Sequence, residues 1–324
     1  MKSDPIFSII IPLFDSVGFI DRTLSSIITQ NLKEFEVIIV NDGSTDGGDK
    51  ICEEYCKNDF RFKLFNQKNS GVSHSRNRGI KESRGKYILF IDSDDFIEEN
   101  FLQQLIEDQS NHPDSFIVQD FFRVDLEGKK VELYNFFNQE FSIHDFIYQF
   151  DITKFGHIAA KVYSRSIINV NEIFFPEQVN LSEDNIFFLN YLRCCEKVYL
   201  SSKKGYNYRE VKNSAISKKV SMEEIFELYN QFISSINLIV SEKGIPVNVK
   251  EKVKFWTKAI IDNIYNLKLD EKQRIENLKI IRAQYYSEVI HMFRKSKFRG
   301  QLLKLSFQLG LLIIFDRLFQ RFER

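Results

Sequence analysis

Three carboxylates fall within four residues at Asp92-Ser93-Asp94-Asp95, directly after the apolar run YILFI. Left unneutralised they would repel one another. A hard divalent cation resolves the repulsion, because carboxylate oxygens suit Mg2+ or Mn2+, and such sites commonly share the ion with substrate phosphates. Asp94 and Asp92 are therefore the candidate metal ligands. The competing reading is a solvated turn, and it is the one that fits Asp95: with Glu98 three residues on, Asp95 has the spacing of a helix N-cap and capping box. Asp42, in VNDGSTD, can accept hydrogen bonds from a nucleobase N–H; read alone it is an Asx-turn entering Gly43.

Further along, GVSHSRNRG carries Arg76 and Arg78 on a helix that begins beside Gly71. A helix N-terminus with arginines favours anions, unless the arginines merely solvate an exposed face. His74 reads as a surface histidine. Glu183-Asp184 opens the apolar run IFFLNYL. Such carboxylates complement a helix dipole, or supply a general base for a hydroxyl. Arg209, in Tyr206-Asn207-Tyr208-Arg209 with Ser214 and Ser217 beyond, is a phosphate clamp on a mobile loop or part of an ordinary edge strand and turn.

The elements that must position these residues are legible from periodicity. Apolar runs at 7–11 (ended by Pro12), 36–40, 62–66 and 87–91 have strand length. Between them, 19–30, a segment capped by Thr45 or Asp46 and running to about Lys57, and 72–83 have helical spacing. Alternating strands and helices with short loops predict an α/β fold with a doubly wound, mostly parallel sheet. The polar clusters at 12–16, 41–46 and 92–95 all follow strands. Ligands bind at the carboxyl ends of such strands, so the clusters should converge on one crevice. From 115 to 210 the pattern is mixed, with a hairpin at 115–124 and 130–134, a strand at 158–163 and a helix at 183–192. Beyond about 220 the chain reads as all-helical, over 221–242, 247–267, 271–293 and 299–322.

Composition bounds the rest. The chain has 324 residues, 43% hydrophobic and 28% charged, which suits a sizeable core rather than disorder. Lys+Arg and Asp+Glu are both 45, so no global attraction to nucleic acid is expected. The 32 Phe read as core. Cys52, Cys56, Cys194 and Cys195 lack zinc spacing and read as buried free thiols in a reducing cytoplasm. The opening MKSDPIFSIIIP reads as lacking a signal-peptide apolar region. The segment 302–319 is apolar, but its uninterrupted run, Leu309 to Phe315, is too short to span a bilayer, which takes about 20 residues. Flanked by Arg294, Lys295, Lys297, Arg299, Arg317, Arg321 and Arg324, it reads as an interfacial amphipathic helix, or as a core helix or dimer contact.

Taken in order, SIIIPLFD, LSSIITQ, EVIIVNDGSTD, GVSHSRNRG and GKYILFIDSDD resemble family 2 glycosyltransferases of the GT-A fold. AKVYSRSII, SEDNIFF and YNYREVKNSAIS continue the match more loosely. The resemblance implies a catalytic domain over 1–218, with a nucleotide half at 1–100 and an acceptor half at 101–218. A helical region with a basic amphipathic tail would follow at 219–324. It implies inverting transfer from a nucleoside-diphosphate sugar, usually UDP-linked, to a saccharide or lipid-linked glycan acceptor in surface-glycan synthesis, with Mn2+ or Mg2+ as cofactor. Asp184 would be the base, supported by Glu183. Pro12, Phe14, Asp15, Asp42, Gly71, Arg76, Asp92, Ser93 and Arg209 would bind the nucleotide sugar, Asp42 at uracil and Asp92 at ribose. Asp94, with Asp92, would hold the metal.

Phe14-Asp15 stands where the family often has Tyr-Asn, which leaves the Asp contact open. Asn41 replaces a frequent Asp, and Ser75 a frequent Ala. The resemblance also favours a cytoplasmic enzyme, peripheral at the inner face of the membrane through 297–324, with a homo-oligomer as a further expectation. The alternative is an inactive nucleotide-sugar-binding or scaffold protein, against which the intact Asp92, Asp94 and Asp184 argue. A sugar nucleotidyltransferase would want a Gly-rich loop where this chain has Pro12-Leu13-Phe14-Asp15.

Overall fold

A computed structural model describes residues 4–132, 134–179, 182–211, 221–245, 254–267, 269–293 and 298–322. The chain forms two compact units, Met1–Ser217 and Lys218–Arg324. In the first, β1 (Phe7–Leu13), β2 (Phe35–Asn41), β3 (Phe62–Asn66) and β4 (Tyr87–Phe90) alternate with α1 (Ile20–Ile28), α2 (Gly48–Asn58) and α3 (Val72–Glu82). Then come β5 (Phe96–Ile97), α4 (Phe101–Asn111), β6 (Ser115–Val124), β7 (Lys130–Glu132), β8 (Gln139–Ser142) and α5 (Ile143–Gln149). The unit closes with β9 (Lys161–Ser164), α6 (Arg165–Val170), α7 (Glu183–Arg193) and β10 (Lys197–Arg209).

The sheet order is β3-β2-β1-β4-β9-β6-β10-β5, with β7 on β6 and β8 on β10. The four strands from β3 to β4 are parallel, as are β6 and β10, while β9 runs antiparallel between β4 and β6. The inner strands are buried on both faces, which is why they read as continuous β-branched runs rather than alternating ones.

β1 continues through Pro12 to Leu13, where the sequence suggested a stop. Even-numbered residues of β1 face β4, as Ile91 N–H donating to the Ile10 carbonyl shows. The β1–β4 register ends at Ile10↔Phe90, so Pro12 gives up no ladder bond by lacking an N–H. α3 lies close on β1, since a Cβ at Gly79 would come within 2.3 Å of the Ile10 side chain. The Phe-rich core is real. Phe90 packs on Tyr163, Phe175 and Phe187, and Phe175 stacks on Phe187 at 4.0 Å.

The second unit is helical: α8 (Met222–Lys243), α9 (Lys254–Asn266), α10 (Glu271–Gln284), α11 (Tyr286–Met292), α12 (Phe298–Gln308) and α13 (Leu312–Phe322). Capping boxes at Ser221/Glu224 and Asp270/Gln273 start α8 and α10. The expected helix over 299–322 is two helices. Gly310 takes φ 73°, left-handed backbone that ends α12. Leu303, Phe307, Leu312, Phe315 and Phe319 are buried in the core of this unit. Asp316, which interrupts the apolar pattern, is 1% exposed and bidentate to Arg274. One side of the tail is thus core, while Leu305, Leu309, Leu311, Ile313 and Ile314 stay exposed. Arg294, Lys295, Lys297 and Arg324 lie outside the described residues. Among those described, no helix is long and apolar enough to cross a membrane.

Candidate active site

The carboxyl ends of β1 and β2 carry the nucleotide-side candidates. Asp15, at φ 43°, accepts from Thr45 N–H at 2.8 Å, and its own N–H donates to Ser44 Oγ at 3.2 Å, tying the two loops together. Phe14 is 45% exposed and free to flank a base. Asp42 is buried, and its carboxylate gathers the next loop by accepting from Gln67 Nε2, Ser70 N–H and Gly71 N–H at 2.8–2.9 Å. This reach of nearly thirty residues is more than an Asx-turn. Gly71 is the N-cap of α3.

Asp92–Asp95 follow β4 after Ile91. Ser93 is turned inward: its Oγ shares a hydrogen bond with Ser16 Oγ at 2.8 Å, and its carbonyl accepts from Thr23 Oγ1 at 3.0 Å. Asp95 is not a helix cap. Two strand residues of β5 follow it, and α4 starts only at Phe101 with Asn100 as N-cap. Asp95 is fully buried, accepts from Tyr206 Oη at 2.5 Å and from Arg209 N–H at 2.8 Å, and so pins the end of β10 to the acidic turn. Burial, then Asp92 and Asp94, push its carboxyl well up. Burial and Asp92 raise Asp94 to about 6.

Arg76 joins the two halves. Its buried guanidinium donates to Asp92 Oδ1 at 2.9 Å and to Glu183 Oε1 at 2.8 Å, although Glu183 lies 107 residues away in sequence. Burial alone would push Arg76 down; Asp92, Glu183 and Asp184 more than offset that, and the net is upward. Arg76, expected among the nucleotide-sugar-binding residues, is here hydrogen-bonded to these two carboxylates. Beside Glu183, in the first turn of α7, Asp184 is raised to about 7 by burial and then by Glu183, against the pull of Arg76.

Arg209 sits at the end of strand β10 itself, its guanidinium over the rings of Phe19 and Phe96 at 5.2 and 5.3 Å. Its Nη2 is buried without a hydrogen-bond partner among the described residues, and Asp94 lies in its field. Ser214 and Ser217 lie outside the described residues. Sequence reasoning missed Asp95, Tyr206 and Thr23 as organisers of the acidic turn. Their partners are 70 or more residues apart, and no local spacing signals them.

Among the described residues no group of three His, Cys, Asp or Glu side chains is arranged to hold a metal unaided. The donor set still fits a cation that shares its shell with phosphate. Asp94 is a carboxylate raised by burial and then by its neighbour Asp92, and a nearby positive charge would relieve it.

The family described as Glycosyl transferase family 2 matches residues 8–170, about half of the chain. The uncharacterized glycosyltransferase EpsJ of Bacillus subtilis is 29% identical over 227 residues, 68% of this chain and 66% of EpsJ. Glycosyltransferase GlyG of Streptococcus pneumoniae is 22% identical over 298 residues, 88% of this chain and 93% of GlyG. The crystal structure of Staphylococcus aureus TarS residues 1–349 with UDP-GlcNAc superposes with a TM-score of 0.70 at 21% identity, covering 98% of this chain and 91% of that one. The likeness to TarS shows that the mostly parallel sheet with its helical extension is the GT-A arrangement. The match to EpsJ spans just under two thirds of that protein's length. The sequence match, the sheet order and the carboxylates gathered at its strand ends agree: the chain belongs to glycosyl transferase family 2.

Proposed function

We propose that the chain transfers a sugar from a UDP-linked donor to a hydroxyl of a saccharide or lipid-linked glycan acceptor, inverting the anomeric carbon. The observation that carries this reading is the Arg76 bridge, which holds Asp92 of the acidic turn and Glu183 of the α7 start on one guanidinium. On this reading donor-side and acceptor-side carboxylates share one guanidinium. TarS, 28% identical over 231 residues covering 68% of this chain and 39% of TarS, makes UDP-GlcNAc the first donor to test.

Mn2+ or Mg2+ held by Asp94 and Asp92 would neutralise charge on the departing diphosphate. The chain's own groups do the rest. Phe14 flanks the base, and Asp42 has three of its roughly four acceptor positions filled, leaving one for uracil. Arg209, whose Nη2 has no hydrogen-bond partner among the described residues and which lies in the field of Asp94, would meet the diphosphate. Asp184 takes the acceptor's proton as the new O–C1 bond forms and the C1–O bond to phosphate breaks. Its elevated pKa places it where a base operates near neutral pH. One displacement with no enzyme nucleophile inverts the centre. The exposed Leu309, Leu311, Ile313 and Ile314 support a peripheral seat on the inner face of the cell membrane, near lipid-linked acceptors.

UDP release from UDP-GlcNAc, UDP-glucose and UDP-galactose with Mn2+, with and without saccharide acceptors, tests the reading. Asp184→Asn should bind UDP as wild type does and transfer about 10²–10⁴-fold more slowly. Full activity of that variant removes Asp184 as base, and failure of every UDP-sugar to bind with metal removes the donor class.

A further inference from the structure

Arg78, the second arginine of GVSHSRNRG, plays no part in the proposed transfer. Arg76 turns toward Asp92 and Glu183, and residues two apart on a helix do not face the same way. His74, Arg78 and Lys81, spaced four and three apart, do share a face of α3. With Lys68 from the loop after β3 and Glu177 from the chain before α7, that face lines a cavity of about 300 Å³, the lower end of small-molecule sites at roughly 300–1,000 Å³.

One wall is held from inside. Asn77 is 3% exposed; its Nδ2 donates to the Phe175 carbonyl at 2.9 Å and to Glu177 Oε1 at 3.0 Å, and its Oδ1 accepts from Phe175 N–H at 2.8 Å. His74 Nδ1 reaches the same Glu177 oxygen at 3.4 Å, so among the described residues Oε2 is left for an outside donor. Arg78 is fixed by Nη1 donating to the Asn66 carbonyl at 2.8 Å and by its place 5.3 Å from the Phe65 ring. Lys81 Nζ lies 5.8 Å from the Phe174 ring. Among the described residues, none of Lys68, Arg78 and Lys81 pairs with a carboxylate. Three cations thus line a cavity with one carboxylate, and that carboxylate has one oxygen already engaged. An anion that also carries hydroxyls fits this set: phosphate oxygens accept from the ammonium and guanidinium groups, and a sugar hydroxyl donates to Glu177 Oε2.

We propose that this cavity is a second ligand site, on a face of α3 that Arg76 does not share, and that it takes a phosphorylated sugar. The occupant lies against Gln67 and Ser70, which also line the cavity. Gln67 Nε2 and Ser70 N–H each donate to Asp42 Oδ1 at 2.9 Å. One loop therefore serves the cavity and Asp42, and filling the cavity steadies that loop for uridine. The coupling rests on Asp42 meeting uracil; occupancy of the cavity does not.

Calorimetry on the full chain, with neither metal nor donor, should show glucose 6-phosphate binding more tightly than glucose or inorganic phosphate. Lys68→Gln and Lys81→Gln change exposed side chains and should each weaken glucose 6-phosphate by about 10-fold. Lys57→Gln, on α2, removes an equal charge elsewhere and should leave that binding as it is. UDP should bind about 5-fold more tightly or better with glucose 6-phosphate present. A phosphodiester-linked disaccharide that binds with the same lysine dependence and takes sugar from UDP-GlcNAc would identify the phosphate as the acceptor's own. Glucose 6-phosphate that binds and tightens UDP, with the diester failing to bind, would identify a free sugar phosphate. Glucose 6-phosphate binding no tighter than glucose or inorganic phosphate overturns the site, as does binding indifferent to both lysine variants or equally weakened by Lys57→Gln. Lysine-dependent binding that leaves UDP affinity unchanged overturns the coupling through Asp42 and keeps the site.

Discussion

Replacing Asp184 by Asn should slow transfer sharply and at the same time make the α/β unit harder to unfold. Burial, then Glu183, lift the Asp184 carboxyl from an ordinary 3.8 to about 7. At about 1.4 kcal/mol per pH unit, ionising it costs the folded state about 4 kcal/mol. The sign follows from the direction. An acid raised on folding contributes stability that is fully present below its unfolded value, near 4, and is lost as pH rises through about 7. Asn keeps the shape and removes the charge. The variant should therefore match wild type near pH 4 and exceed it at pH 8 by an amount approaching about 4 kcal/mol, on the order of 10 °C in Tm. Transfer should fall by about 10²–10⁴, the usual worth of a general base. The readout is urea-dependent hydrogen exchange of β1 and β4 amides at several pH values. The single tryptophan, Trp256, lies in the helical unit and reports the wrong part of the chain. Wild-type and variant curves that stay parallel from pH 4 to 8, or a variant less stable at pH 8, would refute the reasoning.

Arg76→Met leaves two carboxylates without their shared partner and should cost about 3–5 kcal/mol by urea unfolding; Arg76→Lys should recover only part, because an ammonium cannot fork to both. Asp94→Asn should leave the fold intact and weaken Mn2+ binding in the presence of UDP by about 10-fold or more, read by calorimetry. Tyr206→Phe removes the hydroxyl that Asp95 accepts at 2.5 Å and should cost about 1–3 kcal/mol, with raised KM for the donor as the acidic turn loosens.

Much of the first hundred residues was legible, because buried parallel strands announce themselves as unbroken β-branched runs closed by polar loops. β2, β3 and β4 fall where the sequence put them within a residue or two. The acidic turn was legible as a cluster but not in its division of labour. Asp95 has a cap's spacing, and what makes it structural is a phenol 111 residues away. Arg76 was legible as a cation near a helix start; its commitment to Glu183 depends on the start of α7 coming within reach of α3 from 107 residues away, which no local pattern encodes. β9 was expected as a strand, yet its antiparallel insertion between β4 and β6 is a property of sheet order and left no mark in the periodicity. In the tail, Gly310 was visible, and the apolar residues around it masked its role in ending a helix.

The charge count explains why such a site should be weak alone and strong when filled. Asp92, Asp94, Asp95, Glu183 and Asp184 gather around Arg76 and Arg209, so acids outnumber bases, and Asp94, Asp95 and Asp184 are all raised, chiefly by burial. A diphosphate brought to this site adds negative charge to a surplus. A cation alone would find Asp92 already held by Arg76 and few further oxygens. On the proposed function each ligand would remove the obstacle to the other, so their binding would be positively coupled, and by linkage the coupling would be reciprocal. The structural carboxylate Asp95 is spared this exchange by its own pair of hydrogen bonds, which leaves Asp94 as the group whose charge the ligands compensate. The acidic turn is thus held rigid at its last residue and kept electrostatically unsatisfied one residue earlier.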